Sequence, residues 1–159
     1  MSTANVQAEF VAHLAILDVL NRYTDALNRR DWPALQQVFT AEGVWDMGGP
    51  AAGPMAMRFA GAADIAAGIA AAVDSAELCV QTNHAPVIEV SGRRATARST
   101  MHELVRPKGG TGMQIIGFYH DDLSLGEDGE WRFRERRFRI VYVDTGTPVS
   151  GQVMPPPAG

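Results

Sequence analysis

Near residue 77 the hydrophobic period of this chain changes from about 3.6 residues to two, and it does not change back. Downstream, Leu78, Val80, Thr82, His84, Ile88 and Val90 alternate with Glu77, Gln81, Asn83 and Glu89. Ala95, Ala97, Ser99, Met101, Glu103 and Val105 alternate with Arg98, Thr100, His102 and Arg106. Met113, Ile115, Gly117, Tyr119, Asp121 and Leu123 share one face of the next run, and a fourth run starts at Trp131. Turn residues at 91–93, 107–111 and 127–130 separate these runs, so the pattern predicts an antiparallel meander.

Upstream the period is helical. A first helix is predicted over residues 6–30, with Phe10, Leu14, Leu17, Leu20, Thr24 and Leu27 as its apolar stripe. Asp18, Arg22, Asp25 and Arg29 take the opposite face, and Tyr23 and Asn28 fall at the two edges of the stripe. Asp31 caps a short second helix with Pro33 in its first turn. Residues 44–47 read as a short strand, 48–54 as a Gly/Pro loop, and 60–73 as a third, alanine-rich helix. Helices first and a long antiparallel sheet afterwards define an α+β chain. The helices cover one face of the curved sheet. The other face, if it carries Ile116, Phe118 and Ile140, needs a cover, and a second copy of the chain in a homodimer is the expectation.

The 159 residues fit one domain, read as residues 1–144 followed by a Gly/Pro-rich tail or arm at 145–159. A net charge of -4 argues against a nucleic-acid partner. The apolar runs are too short to span a membrane, the N-terminus lacks the parts of a signal peptide, and the one cysteine, Cys79, cannot form an internal disulfide; a cytoplasmic protein is expected.

His84, on the apolar face of its strand by alternation, can take and return a proton; a core histidine satisfied by a carbonyl is the plainer alternative. Tyr23 can donate to a developing oxyanion or simply fill a helix interface. His102 and Glu103 point to opposite faces, so only one readily enters a given pocket, and a bulge would reverse which. Tyr119 and Asp121 share a face. Asp121 is a candidate base or orienting group, or the partner of Arg137 or Arg139 in an ion pair. Arg137, on the face of Trp131 and Phe133, could hold an oxyanion or belong to a charged outer face. Trp45 is a further candidate for substrate contact. Cys79 falls off the His84 face and reads as structural. There is no paired His/Cys metal spacing and no glycine-rich phosphate loop, so neither metal nor cofactor is expected.

The order of elements, together with Tyr23-x4-Asn28-x2-Asp31-Trp32, Thr82-Asn-His84, Gly92-Arg-Arg-Ala95, Gly117-Phe-Tyr119-His-Asp121 and Gly129-Glu-Trp131-Arg-Phe133, resembles the SnoaL-like branch of the nuclear transport factor two-like superfamily over residues 8–144. The resemblance implies a cone-shaped fold with an internal pocket. It leaves the reaction open, because that superfamily includes dehydratases, isomerases, cyclases and proteins without catalysis. Its dehydratases imply a tyrosine and an aspartate five residues apart on the first helix and a histidine on the sheet, matched here by Tyr23 and His84, with His102 as a further position. Asn28 stands where the aspartate would be, and an amide cannot accept a proton as a carboxylate does. The expectation is a cofactor-independent lyase acting on an apolar aromatic or alicyclic molecule, by dehydration or retro-aldol release. His84 would serve as base and acid, Tyr23 and Asn28 as orienting groups, and Arg137 or Tyr119 as the stabiliser of negative charge. An isomerase or cyclase using one carboxylate, such as Asp121, and a non-catalytic binding module are the alternatives.

Overall fold

The computed structural model describes residues 3–50 and 52–154. Helix α1 (Thr3–Arg29) ends where Arg30 takes a left-handed conformation, φ 56°. The Asp31 side chain then accepts from the Ala34 amide at 3.0 Å and caps α2 (Trp32–Gln37). Strand β1 (Phe39–Met47) leads through a single 3-10 turn, Gly53–Met55, into β2 (Met57–Ala60) and α3 (Ala62–Asp74). The remaining strands are β3 (Ala76–Asn83), β4 (Val87–Ser91), β5 (Arg94–Pro107), β6 (Gly112–Leu125) and β7 (Trp131–Thr147).

They form one mixed, curled sheet in the order β2-β1-β7-β6-β5-β3, with β4 also paired to β5. The meander is present, and β1 runs parallel to β7, a long-range pairing no local pattern announced. The helices close the concave face as an α+β cone. Among the described residues no helix is long and apolar enough to cross a membrane.

Four local expectations change. The buried face of α1 is centred on Ile16, Val19, Leu20, Tyr23 and Leu27, while Phe10 and Leu14 are exposed, so Tyr23 sits in the middle of the interface and not at its edge. The single run from 77 to 90 is two strands, because Pro86 has no N–H for a ladder and the chain steps out at residues 84–86. Strand β7 carries a bulge: Leu123 pairs with Phe133 but Asp122 pairs with Glu135, leaving Arg134 over. The inward phase therefore slips by one residue, and Arg136, Phe138 and Ile140 follow Trp131 and Phe133 into the core. Ile140 is thus an inner residue, and of the expected outer patch Phe118 is exposed and Ile116 half-buried. Finally, β7 passes the expected boundary at residue 144, and Arg106 Nη1 donates to the carbonyls of Val149 and Gly151, both at 2.7 Å, so this part of the tail lies on its own domain. The rest of the expected tail, 155–159, and position 51 of the expected loop lie outside the described residues.

Candidate functional site

A cavity of about 310 Å³ lies between the helices and the concave face of the sheet. That is near the lower end of small-molecule pockets. Its walls are mostly apolar, and five methionines, Met47, Met55, Met57, Met101 and Met113, contribute to them. Four polar side chains interrupt this lining: Cys79 and Gln81 from β3, Glu103 from β5 and Tyr119 from β6.

These groups meet because the strands place them side by side. Gln81 pairs with Glu103 across β3 and β5, and Cys79 is one inward position further along β3. Gln81 Nε2 donates to Glu103 Oε2 at 2.5 Å. The Cys79 thiol also donates to Glu103. Behind them, Trp45 Nε1 donates to the Tyr23 hydroxyl at 3.0 Å, Tyr23 and Tyr119 hydroxyls lie 3.5 Å apart, and Tyr119 donates to Gln81 Oε1 at 3.5 Å. Since indole nitrogen only donates and carboxylate only accepts, the chain runs one way, from Trp45 through Tyr23, Tyr119 and Gln81 to Glu103. Its two middle links, at 3.5 Å, are at the outer limit of a hydrogen bond and are therefore weak.

Burial pushes the Glu103 carboxyl above the ordinary carboxylate range, against the pull of the Gln81 and Cys79 hydrogen bonds. Glu103 keeps some accessible surface, as a cavity-lining group must. Burial likewise raises the Cys79 thiol, followed by the nearby Glu103 charge, which makes Cys79 a donor and a poor thiolate. Burial raises both tyrosines, and Arg136 opposes it in each. The Arg136 guanidinium lies 3.7 Å from the Tyr119 ring centroid and 4.1 Å from that of Tyr23. It is a cation on the ring faces that makes the phenols readier donors.

The other expected residues are placed differently. His84 is exposed, just beyond β3, and lines a separate small cavity. The phase expected for β3 is inverted: Val80 is exposed while Gln81 is buried and Cys79 lines the main cavity. Asn28 does not reach that cavity. Its amide pairs with the backbone of Gln81, Nδ2 donating to the carbonyl at 2.9 Å and Oδ1 accepting from the amide at 2.8 Å. It clamps an edge strand and so sets the position of Gln81. His102 faces outward, with Nε2 3.0 Å from Gln114 Oε1. Glu103 is the member of that pair that faces inward. Asp121 is fully buried, but against Arg136 at 3.5 Å and not in the main cavity, and its carboxyl is pushed up to about 7 by burial, with Arg136 opposing. Arg137 lies on the outer face, bonded to Asp122 at 2.8 Å, because the bulge exchanged it with Arg136.

Sequence reasoning missed Gln81, Cys79 and Arg136. For Arg136 a signal existed: Phe133 and Phe138 are five residues apart, and two large aromatics at odd spacing cannot share one face without a bulge. For Gln81 none existed, since a polar residue between Val80 and Thr82 reads as solvated. Among the described residues, no three His, Cys, Asp or Glu side chains are arranged to hold a metal ion.

A curled sheet closed by N-terminal helices around an internal pocket defines the nuclear transport factor two-like class. The chain belongs to the SnoaL-like domain family, whose model matches residues 8–137. No curated protein matches it. Solved structures share the fold. A candidate scytalone dehydratase from Novosphingobium aromaticivorans superimposes with a TM-score of 0.77 at 17% identity, covering 93% of this chain and 99% of that one. A hexachlorocyclohexane dehydrochlorinase, LinA type 2, gives 0.74 at 18% identity over 94% and 96%. A protein of unknown function from Mycobacterium tuberculosis gives 0.72 at 23% identity over 86% and 75%.

Proposed function

We propose that the chain is a cofactor-independent lyase that removes a proton from an uncharged, apolar small molecule, with Glu103 as the base. One observation carries this reading: a carboxylate with raised affinity for a proton sits in an apolar cavity at the end of a one-way chain of donors. Glu103 would take a C–H proton, and Tyr119 would donate to the substrate oxygen on which negative charge develops. The protonated Glu103 would then return its proton to a departing hydroxyl on the same side, releasing water. The methionine-rich wall suits aromatic or alicyclic substrates, and the absence of a cationic side chain among the described lining residues disfavours anionic ones. The scytalone dehydratase and dehydrochlorinase relatives in fold are compatible with an elimination.

An isomerase is the second reading, because a single carboxylate suffices to remove a proton and return it elsewhere on the same molecule. The test is turnover of a panel of hydroxylated cyclic ketones followed by mass spectrometry. Loss of water indicates the lyase, and a new isomer of unchanged mass indicates the isomerase. Glu103→Gln should lower either rate by about 10²–10⁴-fold. Full activity in that variant would remove Glu103 from the mechanism.

A further inference from the structure

The main cavity carries a charge that its own walls do not balance. Its ionisable lining groups among the described residues are Cys79, Glu103 and Tyr119. Burial raises the thiol and the phenol, so both are neutral near neutral pH. Glu103 is then the lining group that can ionise there, and its charge is negative. It also opens onto the cavity: Glu103 is half-buried, whereas Gln81 and Tyr119 behind it are 5% and 0% exposed.

A carboxylate in an apolar place is ordinarily matched by a cation. Among the described residues no lysine, arginine or histidine forms an ion pair with Glu103. The arginines nearest to this wall are committed elsewhere. Arg106 pairs with Glu77 at 2.5 Å. Arg30 acts on the Cys79 thiol but donates to the Ala76 carbonyl. Arg136 is 0% exposed behind the Tyr119 ring, with Asp121 at 3.5 Å. Glu103 receives only two neutral donors, the Gln81 amide at 2.5 Å and the Cys79 thiol. A carboxylate offers about four acceptor positions, so about two remain. They belong to a side chain in a cavity walled by half-buried Met55, Met57, Phe59 and Met113.

We propose that this cavity binds an apolar primary ammonium ion, its N–H groups on the Glu103 carboxylate and its ring against the methionines and Phe59. The ligand supplies the missing cation, and the ion pair forms away from bulk water, where it is less screened. A cavity of about 310 Å³ suits a single-ring amine. An anion of the same outline would bring a second negative charge to Glu103. The ammonium presents an N–H where a lyase substrate presents a C–H, so it takes the substrate's place and blocks turnover. The assignment rests on the lyase reading for Glu103 as the acceptor of the cavity, but binding is measured without turnover. Alkylammonium groups stay protonated below about pH 8, so the pH dependence of binding belongs to the protein. Cys79 and Tyr119 stay neutral across that range, and Asp121, pushed up to about 7, titrates behind Tyr119 beside Arg136. Its contribution persists in Glu103→Gln and is measured there.

The test is calorimetric titration of the full chain with cyclohexylmethylamine, cyclohexylmethanol and cyclohexanecarboxylate, one outline with three charges. Near about pH 7.5 the amine should bind saturably and about tenfold more tightly than the alcohol, the effect of one charge-assisted hydrogen bond. The carboxylate should not saturate in the same range. Amine affinity should rise from about pH 4 to 7.5 as Glu103 gives up its proton, while alcohol affinity stays flat. Glu103→Gln should bring the amine down to the alcohol and remove most of the pH dependence. Equal affinity for amine and alcohol in the wild type, or amine affinity that is flat with pH, would overturn the assignment. Undiminished amine binding in Glu103→Gln would do the same, and would mark attraction to the outer surface of a chain with net charge -4. If Glu103→Gln fails to fold, the wild-type comparison and its pH series decide. Amine binding as expected with no turnover of any hydroxylated ketone keeps this assignment and removes the lyase. Turnover that depends on Glu103, with no preference for the amine, does the reverse.

Discussion

Replacing Asn28 with aspartate tests whether this position is a clamp or a catalytic site in waiting. The wild-type amide makes two bonds to the peptide of Gln81, one in each direction. Each contributes about 0.5–1.5 kcal/mol. An ionised carboxylate keeps the bond from the Gln81 amide, but its second oxygen then faces the Gln81 carbonyl across what was a 2.9 Å bond. Acceptor against acceptor in a half-buried setting costs about 1–3 kcal/mol. A protonated carboxyl has a hydroxyl to donate and restores both bonds. The introduced acid is therefore driven above the usual carboxylate range in the folded protein. A raised folded pKa means that full stability is present at acid pH and is lost as pH rises through the folded value. Urea denaturation of the two proteins should agree within about 0.5 kcal/mol near pH 4 and differ by about 1–3 kcal/mol near pH 7.5. In a chain of this size each kcal/mol lowers the melting temperature by about 2–4 °C. Equal stability of Asn28→Asp and wild type at both pH values would refute the clamp.

The rate of the proposed reaction should rise with pH along the ionisation of Glu103, with a midpoint above the ordinary carboxylate range because burial raises that group; a flat profile from about pH 4 to 8 would argue against a carboxylate base. His84→Ala, outside the main cavity, should keep turnover within about twofold of wild type, whereas a 10²-fold loss would return the histidine to the mechanism. Asp121 is pushed up to about 7 by burial, so its contribution is present at acid pH and fades as pH rises; the stability of Asp121→Asn relative to wild type should therefore increase between about pH 4 and 7, whatever the offset at acid pH. Phe118, Val141, Tyr142 and Val80 leave apolar surface on the outer side, and we propose that a second copy covers it. Light scattering at micromolar concentration should report about twice the 17.1 kDa chain mass and Phe118→Glu should lower it, while a monomeric wild type would exclude this assembly.

Where each residue type obeyed the usual rule, the sequence was readable. Asp31 before a short apolar run announced the α2 cap. The small and apolar inner faces of β5 and β6, from Ala95 to Glu103 and from Met113 to Leu123, kept strict alternation; it set Glu103 on the face of Met101 and Tyr119 on the face of Ile115, but left open which of His102 and Glu103 enters the pocket. Reading failed where local geometry overrode the rule. In β3 a buried glutamine and outward Leu78 and Val80 reverse the normal sense of apolar-inside, so the phase was inverted and His84 was favoured over Cys79 and Gln81. In β7 one extra residue exchanged the faces of Arg136 and Arg137. The exposed N-terminal turns of α1 pulled the inferred stripe off Tyr23, because Phe10 and Leu14 do not pack on this chain's own core.

The methionine wall has a kinetic consequence. Met47 and Met101 are packed into the core, but Met55, Met57 and Met113 are half-buried, unbranched and can take several rotamers while the cavity is empty. A ligand that fixes them forfeits that freedom, at about 0.5–1.5 kcal/mol for each side chain immobilised. Three together could withhold about 1.5–4.5 kcal/mol, or roughly one to three orders of magnitude in affinity relative to a rigid wall of equal area. Under the proposed lyase reaction such a site admits guests of varied outline, binds each of them weakly and lets product leave quickly. Turnover would then be set by the proton transfer itself, and saturation would require high substrate concentration.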